Sequence, residues 1–261
     1  FKKKSIQFML SISFSLVAFL GMVFMGVTIY SRSVSSMKKM TIENNEQLIE
    51  QVNLNLNMYL RNMMRISNTM YYSVIKRADL SKGTLDKEMN LLYEANRDNL
   101  VSIACFRENG RLVAAAPLDN LKRGLNVSEQ DWFVEANREI ENLHFSTPHV
   151  QNLFHDSSFN YHWVISLSRV VELTSNGHIS RGILLVDMNF SGIEQLFTQV
   201  NSSNSGYVYL IDGNGEIIYH PKQSLLISKL LKENNIVAAT YQDGTHEEVF
   251  EGENRMVTVR T

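Results

Sequence analysis

The sequence predicts an α+β fold, with an N-terminal transmembrane helix running on into a long stalk helix and two tandem antiparallel-sheet modules after it, the second incomplete. Three observations predict it. A run of 25 residues without charge lies near the start, a heptad of apolar residues follows it, and one Asn-Gly hairpin pattern occurs twice further on. The expected organisation is 1–31 for the cytoplasmic end and membrane helix, 32–79 for the stalk, 80–195 for a membrane-distal module and 196–261 for a truncated membrane-proximal one.

The uncharged run is Ile6 to Tyr30, "IQFMLSISFSLVAFLGMVFMGVTIY". As a helix it is about 37 Å long at ~1.5 Å per residue, enough to cross a hydrocarbon core of about 30 Å. A signal peptide has a shorter apolar region and a small-residue cleavage site, and a core helix has a polar face; this run fits neither. Lys2, Lys3 and Lys4 precede it and Arg32, Lys38 and Lys39 follow, so the positive-inside rule puts the N-terminus in the cytoplasm and the bulk of the chain outside the cell membrane. The opening phenylalanine and the strand-like ending "ENRMVTVRT" suggest a piece of a longer protein.

Between Ser33 and Arg77 there is no glycine or proline, and Ile49, Val52, Leu56, Tyr59, Met63, Ile66 and Met70 recur at alternating steps of three and four. That is a heptad seam on a long helix. It either pairs with the same helix of a second subunit, making a homodimer, or packs on its own downstream domain, and both can hold at different heights. "DLSKGT" breaks the pattern, and "LDKEMNLLYEANR" gives a second, shorter helix.

Asn109-Gly110 and Asn214-Gly215 each separate two apolar, strand-like runs. The pattern predicts a two-residue type I′ turn at each, with positive φ at both central positions, and its recurrence predicts two copies of one small module. In the first copy, Ser128 and Asp131 suggest a capping box for the helix "EQDWFVEANREI". Then come "HFSTPHV", the strand "YHWVISLSRVV", a turn at Ser175 to Gly177 and the strand "RGILLVDMNF". Ser191 and Glu194 suggest a second capping box for "GIEQLFTQV". The second copy continues with a helical "KQSLLISKLLKEN".

This succession of membrane helix, stalk, strand, "ENG" turn, strand, helix with adjacent aromatics, "STPHV" and long strand pair resembles the double Cache sensor domain of bacterial receptors, whose modules are PAS-like. The anchor and stalk are similar to those of YesM-like sensor histidine kinases. The resemblance implies an extracytoplasmic ligand-sensing region of a transmembrane signalling receptor, a two-component histidine kinase whose catalytic half lies elsewhere in the protein, with its signal bound in the distal module. A chemoreceptor or cyclic-nucleotide enzyme with the same sensor, and a membrane-anchored adhesion module that senses nothing, are the alternatives.

Strand alternation puts Asp187 on the same face as Ile183 and Leu185. A carboxylate among apolar neighbours needs a partner. A ligand cation or hydroxyl is one, and the resemblance implies that this aspartate holds an amine; Arg169, Arg181 or exposure at the strand end are the structural alternatives. In "QDWFVEA" the resemblance places Trp132 and Phe133 in the family's aromatic positions and Gln130 where a carboxylate-binding arginine would stand, which weakens an amino-acid reading. The two rings serve core packing equally well. His149 in "STPHV" can donate to a ligand or titrate near neutral pH. Ser166 and Ser168 share a face with His162 and Val164, suited to a polar cavity or to solvent. The expected ligand-binding set is Gln130, Trp132, Phe133, His149, Ser166 and Asp187, for a small polar molecule such as an amine, amino acid or sugar.

Other chemistries find no support in the residues. Net charge is −2, so no basic field points to nucleic acid. The single cysteine, Cys105, lies in an apolar run and excludes an internal disulfide. The seven histidines form no helical His-x-x-x-His, leaving His149 with His155 as a weak metal pair. No phosphate-binding glycine loop, nucleophile elbow or kinase motif occurs, so neither a catalytic residue nor a cofactor is expected. The sequons at Asn126 and Asn201 matter only in a eukaryotic secretory pathway.

Overall fold

The computed structural model describes residues 6–117, 120–154, 162–200 and 206–261. Lys2, Lys3, Lys4, His155, Tyr161 and Asn201, which enter the reading above, lie outside the described residues. Helix α1 (Ile6–Asn68) is one element of 63 residues, followed directly by a π-helical turn, Thr69–Val74, and a 3₁₀ turn, Ile75–Arg77. Its N-terminal part is long and apolar enough to cross a membrane, and Phe8, Phe14, Phe19 and Phe24 on it are exposed.

Two compact units form, residues 51–240 and residues 1–50 with 241–261. The larger holds α2 (Asp86–Glu94), β1 (Leu100–Arg107), β2 (Leu112–Ala116), α3 (Asp131–Arg138), β3 (His144–Phe145), β4 (His149–Val150), β5 (Trp163–Ser175), β6 (His178–Asn189) and α4 (Ser191–Val200). Its sheet runs β2-β1-β6-β5-β3, with β4 also on β5 and every pairing antiparallel. The same unit continues with the hairpin β7 (Leu210–Ile211) and β8 (Ile217–Tyr219), then α5 (Gln223–Ile227) and α6 (Asn235–Ala238).

The pleat sends alternate side chains to opposite faces, and each face has its own apolar cluster. On one face Ile103, Cys105, Ile165, Leu167, Leu184, Val186 and Met188 meet Val52, Met63, Ile66 and Met70 of the helical seam. Over this stretch, therefore, the seam packs on its own domain. Met63 and Met70 are fully buried, and each such side chain stabilises by about 1.5–3 kcal/mol. On the other face Ala104, Phe106, Ile183 and Leu185 meet Trp132, Phe133 and Ala136 of α3. Burial lifts the thiol of Cys105 to about 12, consistent with its reading as a small hydrophobe.

Both Asn-Gly hairpins form, but not with the expected turn. In the first, the left-handed residue is Gly110 (φ 76), the Gly110 amide donates to the Arg107 carbonyl at 2.9 Å and the Arg107 amide to Arg111 at 2.8 Å. The second repeats this with Gly215 (φ 85), whose amide donates to Asp212 at 3.0 Å while Asp212 donates to Glu216 at 2.9 Å. These are three-residue loops in which the glycine forms a bulge. Two-residue turns with positive φ at both positions occur instead at Asn176-Gly177 (φ 50 and 76), joining β5 to β6, and at Glu251-Gly252 (φ 52 and 84).

Neither expected capping box forms. Asn126 caps a 3₁₀ turn, Val127–Glu129, by accepting from the Ser128 amide, and Gln130 precedes α3 without a side-chain cap. At α4 it is Asn189 Oδ1 that accepts from the Ser191 amide, at 3.0 Å. Asn side chains in Asx turns outcompete the serine beside them at both places. The helix expected over "KQSLLISKLLKEN" spans only Gln223–Ile227, because Lys229 turns left-handed (φ 58).

The smaller unit pairs β9 (Gly244–Phe250) with β10 (Glu253–Val259). Within it Lys38 of α1 forms an ion pair with Glu247, and Arg260 bridges Glu50 at 2.9 Å and Asp243 at 3.1 Å.

Candidate ligand-binding site

The site lies on the α3 face of the sheet. Strand register sets Asp187 of β6 directly between Ser102 of β1 and Ser166 of β5, so three strands deliver one polar row into an otherwise apolar surface. Asp187 is only 1% exposed. Ser102 Oγ donates to its Oδ2 at 2.6 Å and Ser166 Oγ to its Oδ1 at 2.5 Å. Burial is the dominant influence and raises the carboxyl above its usual value; the two hydroxyls and the nearby His149 act against it. Arg169 is not its partner: that guanidinium donates to Asn68 at 2.7 Å and lies 4.7 Å over the Tyr71 ring. Arg181 stands opposite Glu172 in the strand register, well along β6 from the Ser166–Asp187 pair.

His149 completes the row from the sheet edge. Its Nε2 is 3.3 Å from Ser166 Oγ, and its Nδ1 is 2.9 Å from the Thr147 carbonyl oxygen and 3.3 Å from Ser146 Oγ. Ser146 Oγ in turn accepts from the Ser166 amide at 2.9 Å. The structure thus brings Asp187, Ser166 and His149 together and adds Ser102 and Ser146, for which sequence reasoning had no signal.

The remaining expected residues stand apart from this network. Trp132 and Phe133 are buried in the second core cluster, with Trp132 tilted against Phe106 at 5.5 Å between centroids. The Trp132 carbonyl accepts from Ser168 Oγ at 2.9 Å, which anchors α3 on β5. Gln130, half-buried, turns Nε2 back to the Asn126 carbonyl at 3.5 Å.

Two other polar clusters occur in the same unit. An open cleft of about 360 Å³ between Ser73 and Glu88 is lined by Arg77, Asp79 and Lys82, but Asp79 Oδ1 already accepts from the amides of Ser81 and Asn176, each at 3.0 Å. Near β8, His220 Nδ1 accepts from the Lys222 amide at 3.0 Å, its Nε2 lies 3.5 Å from Glu233, and the Tyr207 hydroxyl donates to Glu233. No cluster of three or more metal-ligating side chains occurs among the described residues.

Comparison with known proteins bears on this arrangement. The family model of the Cache domain, dCache type, matches residues 33–261. A probable methyl-accepting chemotaxis protein of Bacillus thuringiensis subsp. konkukian is 21% identical over 222 residues, 84% of this chain. The chain spans about a third, 32%, of that relative's length. Among solved structures, the ligand-binding domain of the Pseudomonas aeruginosa PAO1 amino acid chemoreceptor PctC, in complex with GABA, superposes with a TM-score of 0.61 at 17% identity, covering 84% of this chain and 92% of that one. The ligand-binding domain of the Campylobacter jejuni chemoreceptor Tlp3, in complex with 4-methylisoleucine, gives 0.62 at 15% identity over 84% and 85%.

Proposed function

Because the chain belongs to the Cache domain family, a family of receptor sensor domains, we propose that it is the extracytoplasmic sensing region of a transmembrane receptor and binds a small molecule carrying a cationic amine at Asp187. The observation that carries this reading is a carboxylate 1% exposed, met by two serine hydroxyls and, among the described residues, by no basic residue other than the edge histidine. Such a charge costs stability, and an ammonium seated on it would recover that cost. Gln130 supplies no charge for a ligand carboxylate, so a simple amine suits the site better than an α-amino acid. GABA bound to PctC supports a ligand whose ammonium stands apart from any α-carboxylate, though GABA carries a carboxylate at its other end.

In this reading 80–195 is the membrane-distal module, 196–261 the membrane-proximal one, and residues 6–30 the anchor in the lipid bilayer. Homodimerisation is proposed through the outward face of α1, where Met37, Met40, Asn44, Gln47, Gln51, Leu54 and Met58 repeat with heptad spacing and are all exposed. The methionines and Leu54 supply the apolar contacts, and the three amides between them form a polar stretch that would fix the register of the two helices. The parent protein is a sensor histidine kinase or a chemoreceptor; the chemotaxis relative favours the second. Reading the gene beyond the codon for Thr261 separates them.

Thermal-shift screening of residues 33–261 against amines, amino acids, sugars and carboxylates tests the sensing role. A bound amine should stabilise the domain by about 2.7 kcal/mol at a hundredfold excess over its dissociation constant. Silence across the amine panel would refute the proposal and favour the adhesion reading.

A further inference from the structure

The polar row contains more links than its hydroxyl hydrogens can supply. The Thr147 carbonyl can only accept, so the 2.9 Å contact requires a proton on His149 Nδ1. Two further links follow, from Nε2 to Ser166 Oγ at 3.3 Å and from Ser166 Oγ to Asp187 Oδ1 at 2.5 Å. Each link needs one hydrogen, and Ser166 owns one. The second must come from His149 Nε2 or from the Asp187 carboxyl. In the first case the ring is an imidazolium beside a carboxylate; in the second, a neutral ring faces a carboxylic acid. Both have the same proton count and no net charge.

We infer that Asp187 and His149, joined through Ser166, hold one dissociable proton between them in the ligand-free protein, and that a cationic amine seated on Asp187 drives it out to solvent. The inference rests on the proposed reading of Asp187 as the amine partner. The one bond broken is the His149 N–H or Asp187 O–H that held the proton, which passes to water; the ammonium brings one positive charge, one proton leaves, and the row with its ligand stays neutral. The row is buried at Ser102, Ser166 and Asp187 and half-buried at His149, and burial of the carboxylate favours that exchange over carrying an unbalanced charge. His149 then acts as an internal cation that competes with the ligand, and sets how affinity depends on pH.

The groups facing His149 among the described residues are few. Ser146 and Thr147 precede it. β5 contributes Val164 and Ser166, with His162 just before its first residue, while β6 contributes Asp187 and β1 contributes Ser102. Asp131 in the first turn of α3 is exposed, and His144 at the neighbouring edge places Nε2 3.0 Å from the Glu139 carbonyl. The titratable neighbours are therefore Asp187 and His162, with Asp131 and His144 beyond them.

The test uses the full chain in lipid nanodiscs, with nitrogen-15 histidine and carbon-13 aspartate labels and with His162→Gln to separate the neighbouring ring. The ligand-free protein should show the His149 nitrogens and the Asp187 carboxyl changing together in a single one-proton step, with the proton in place below it. Ser166→Ala should split that step into two independent titrations. Calorimetry with 4-aminobutanoate and ethylamine, in buffers of different ionisation enthalpy, should show about one proton released per molecule bound below the step, and affinity rising about tenfold per pH unit there. His149→Gln leaves the Asp187 carboxyl alone to hold the proton, so it should move the pH at which the slope ends; an unmoved slope would show that His149 takes no part and would overturn the inference. Two separate titrations of Asp187 and His149 in the ligand-free protein, or amine binding without proton release below the step, overturns the inference while leaving the amine reading intact. Failure of both amines to bind, with the one-proton step present, sinks the amine reading and leaves the shared proton standing.

Discussion

Replacing Asp187 with asparagine separates a binding residue from a structural one, because the two roles predict opposite changes in stability. The side chain is 1% exposed and held by Ser102 at 2.6 Å and Ser166 at 2.5 Å. Removing a carboxylate from water costs several kcal/mol after relaxation, and each hydroxyl bond to a charged group returns about 1.5–3 kcal/mol. The balance is close to zero or unfavourable by a kcal/mol or two. Asparagine keeps the shape and one acceptor, so Asp187→Asn should raise stability by about 1 kcal/mol, or roughly 2–4 °C in Tm for a domain of this size. The pH dependence fixes the sign independently. The folded carboxyl lies above its ordinary 3.8, so Asp187 favours the folded state most below that pH, and this contribution is lost as pH rises through the folded value. The gain from asparagine should therefore be small near pH 4 and larger near pH 7. Differential scanning calorimetry at both pH values measures it, with calorimetric titration of an amine as the companion assay. Loss of amine binding with an unchanged or raised Tm is the expected outcome. A Tm lowered by more than a few degrees at neutral pH would show that the carboxylate is a structural tie, and would refute the reasoning.

Other consequences are open to direct measurement. A Cβ at Gly182 would lie 2.5 Å from the Phe106 carbonyl oxygen and 2.5 Å from Leu173 Cδ1; the backbone cannot retreat, so Gly182→Ala should cost about 3 kcal/mol, a fall of roughly 6–12 °C in Tm, and an unchanged Tm would contradict the register. The Cys105 thiol, fully buried and raised to about 12, should resist maleimide in the native protein and label at once in denaturant; rapid native labelling would contradict its burial. Arg169→Ala should leave amine affinity within about threefold but abolish any ligand-dependent change in hydrogen exchange at Thr69–Val74, since the guanidinium stacks on Tyr71 and Tyr72 of that turn. A variant that keeps the exchange response would remove β5 from the route to the helix.

The path from sequence to site was open where a local pattern carried the information and closed where pairing did. Alternation along "RGILLVDMNF" put Asp187 with Ile183 and Leu185, and alternation along β5 put Ser166 on a face opposite to Leu167; both follow from the pleat alone. Ser102 carries no such sign. It sits in "LVSIACF" as a lone hydroxyl, and only the β1–β6 register brings it to a residue 85 positions away. Turn geometry failed for a similar reason. "ENGRLV" names a hairpin, but the bulge between Cys105 and Phe106 in the β1–β2 pairing and the Arg107–Arg111 bond make it a three-residue loop. Asn176-Gly177, with twelve regular β5–β6 pairs and no bulge behind it, takes the two-residue form. The stalk seam was legible as a helix face, while its partner depended on the sheet folded against it.

β5 is the element that joins the candidate site to the helical seam. Its odd-numbered residues Ile165, Leu167 and Arg169 face the seam of α1, the first two inside the core cluster with Met63, Ile66 and Met70, and the third against Asn68 and Tyr71. Its even-numbered residues Ser166 and Ser168 face Asp187 and the Trp132 carbonyl. Any displacement of Ser166 when a ligand takes Asp187 is also a displacement of Leu167 and Arg169, because a strand cannot move one face without the other. A close-packed core passes such a shift on without absorbing it. The helical turn it would reach is Thr69–Val74, where the α-helical ladder has already given way to π geometry, the kind of irregularity at which a long helix can change register for the least loss of hydrogen bonding.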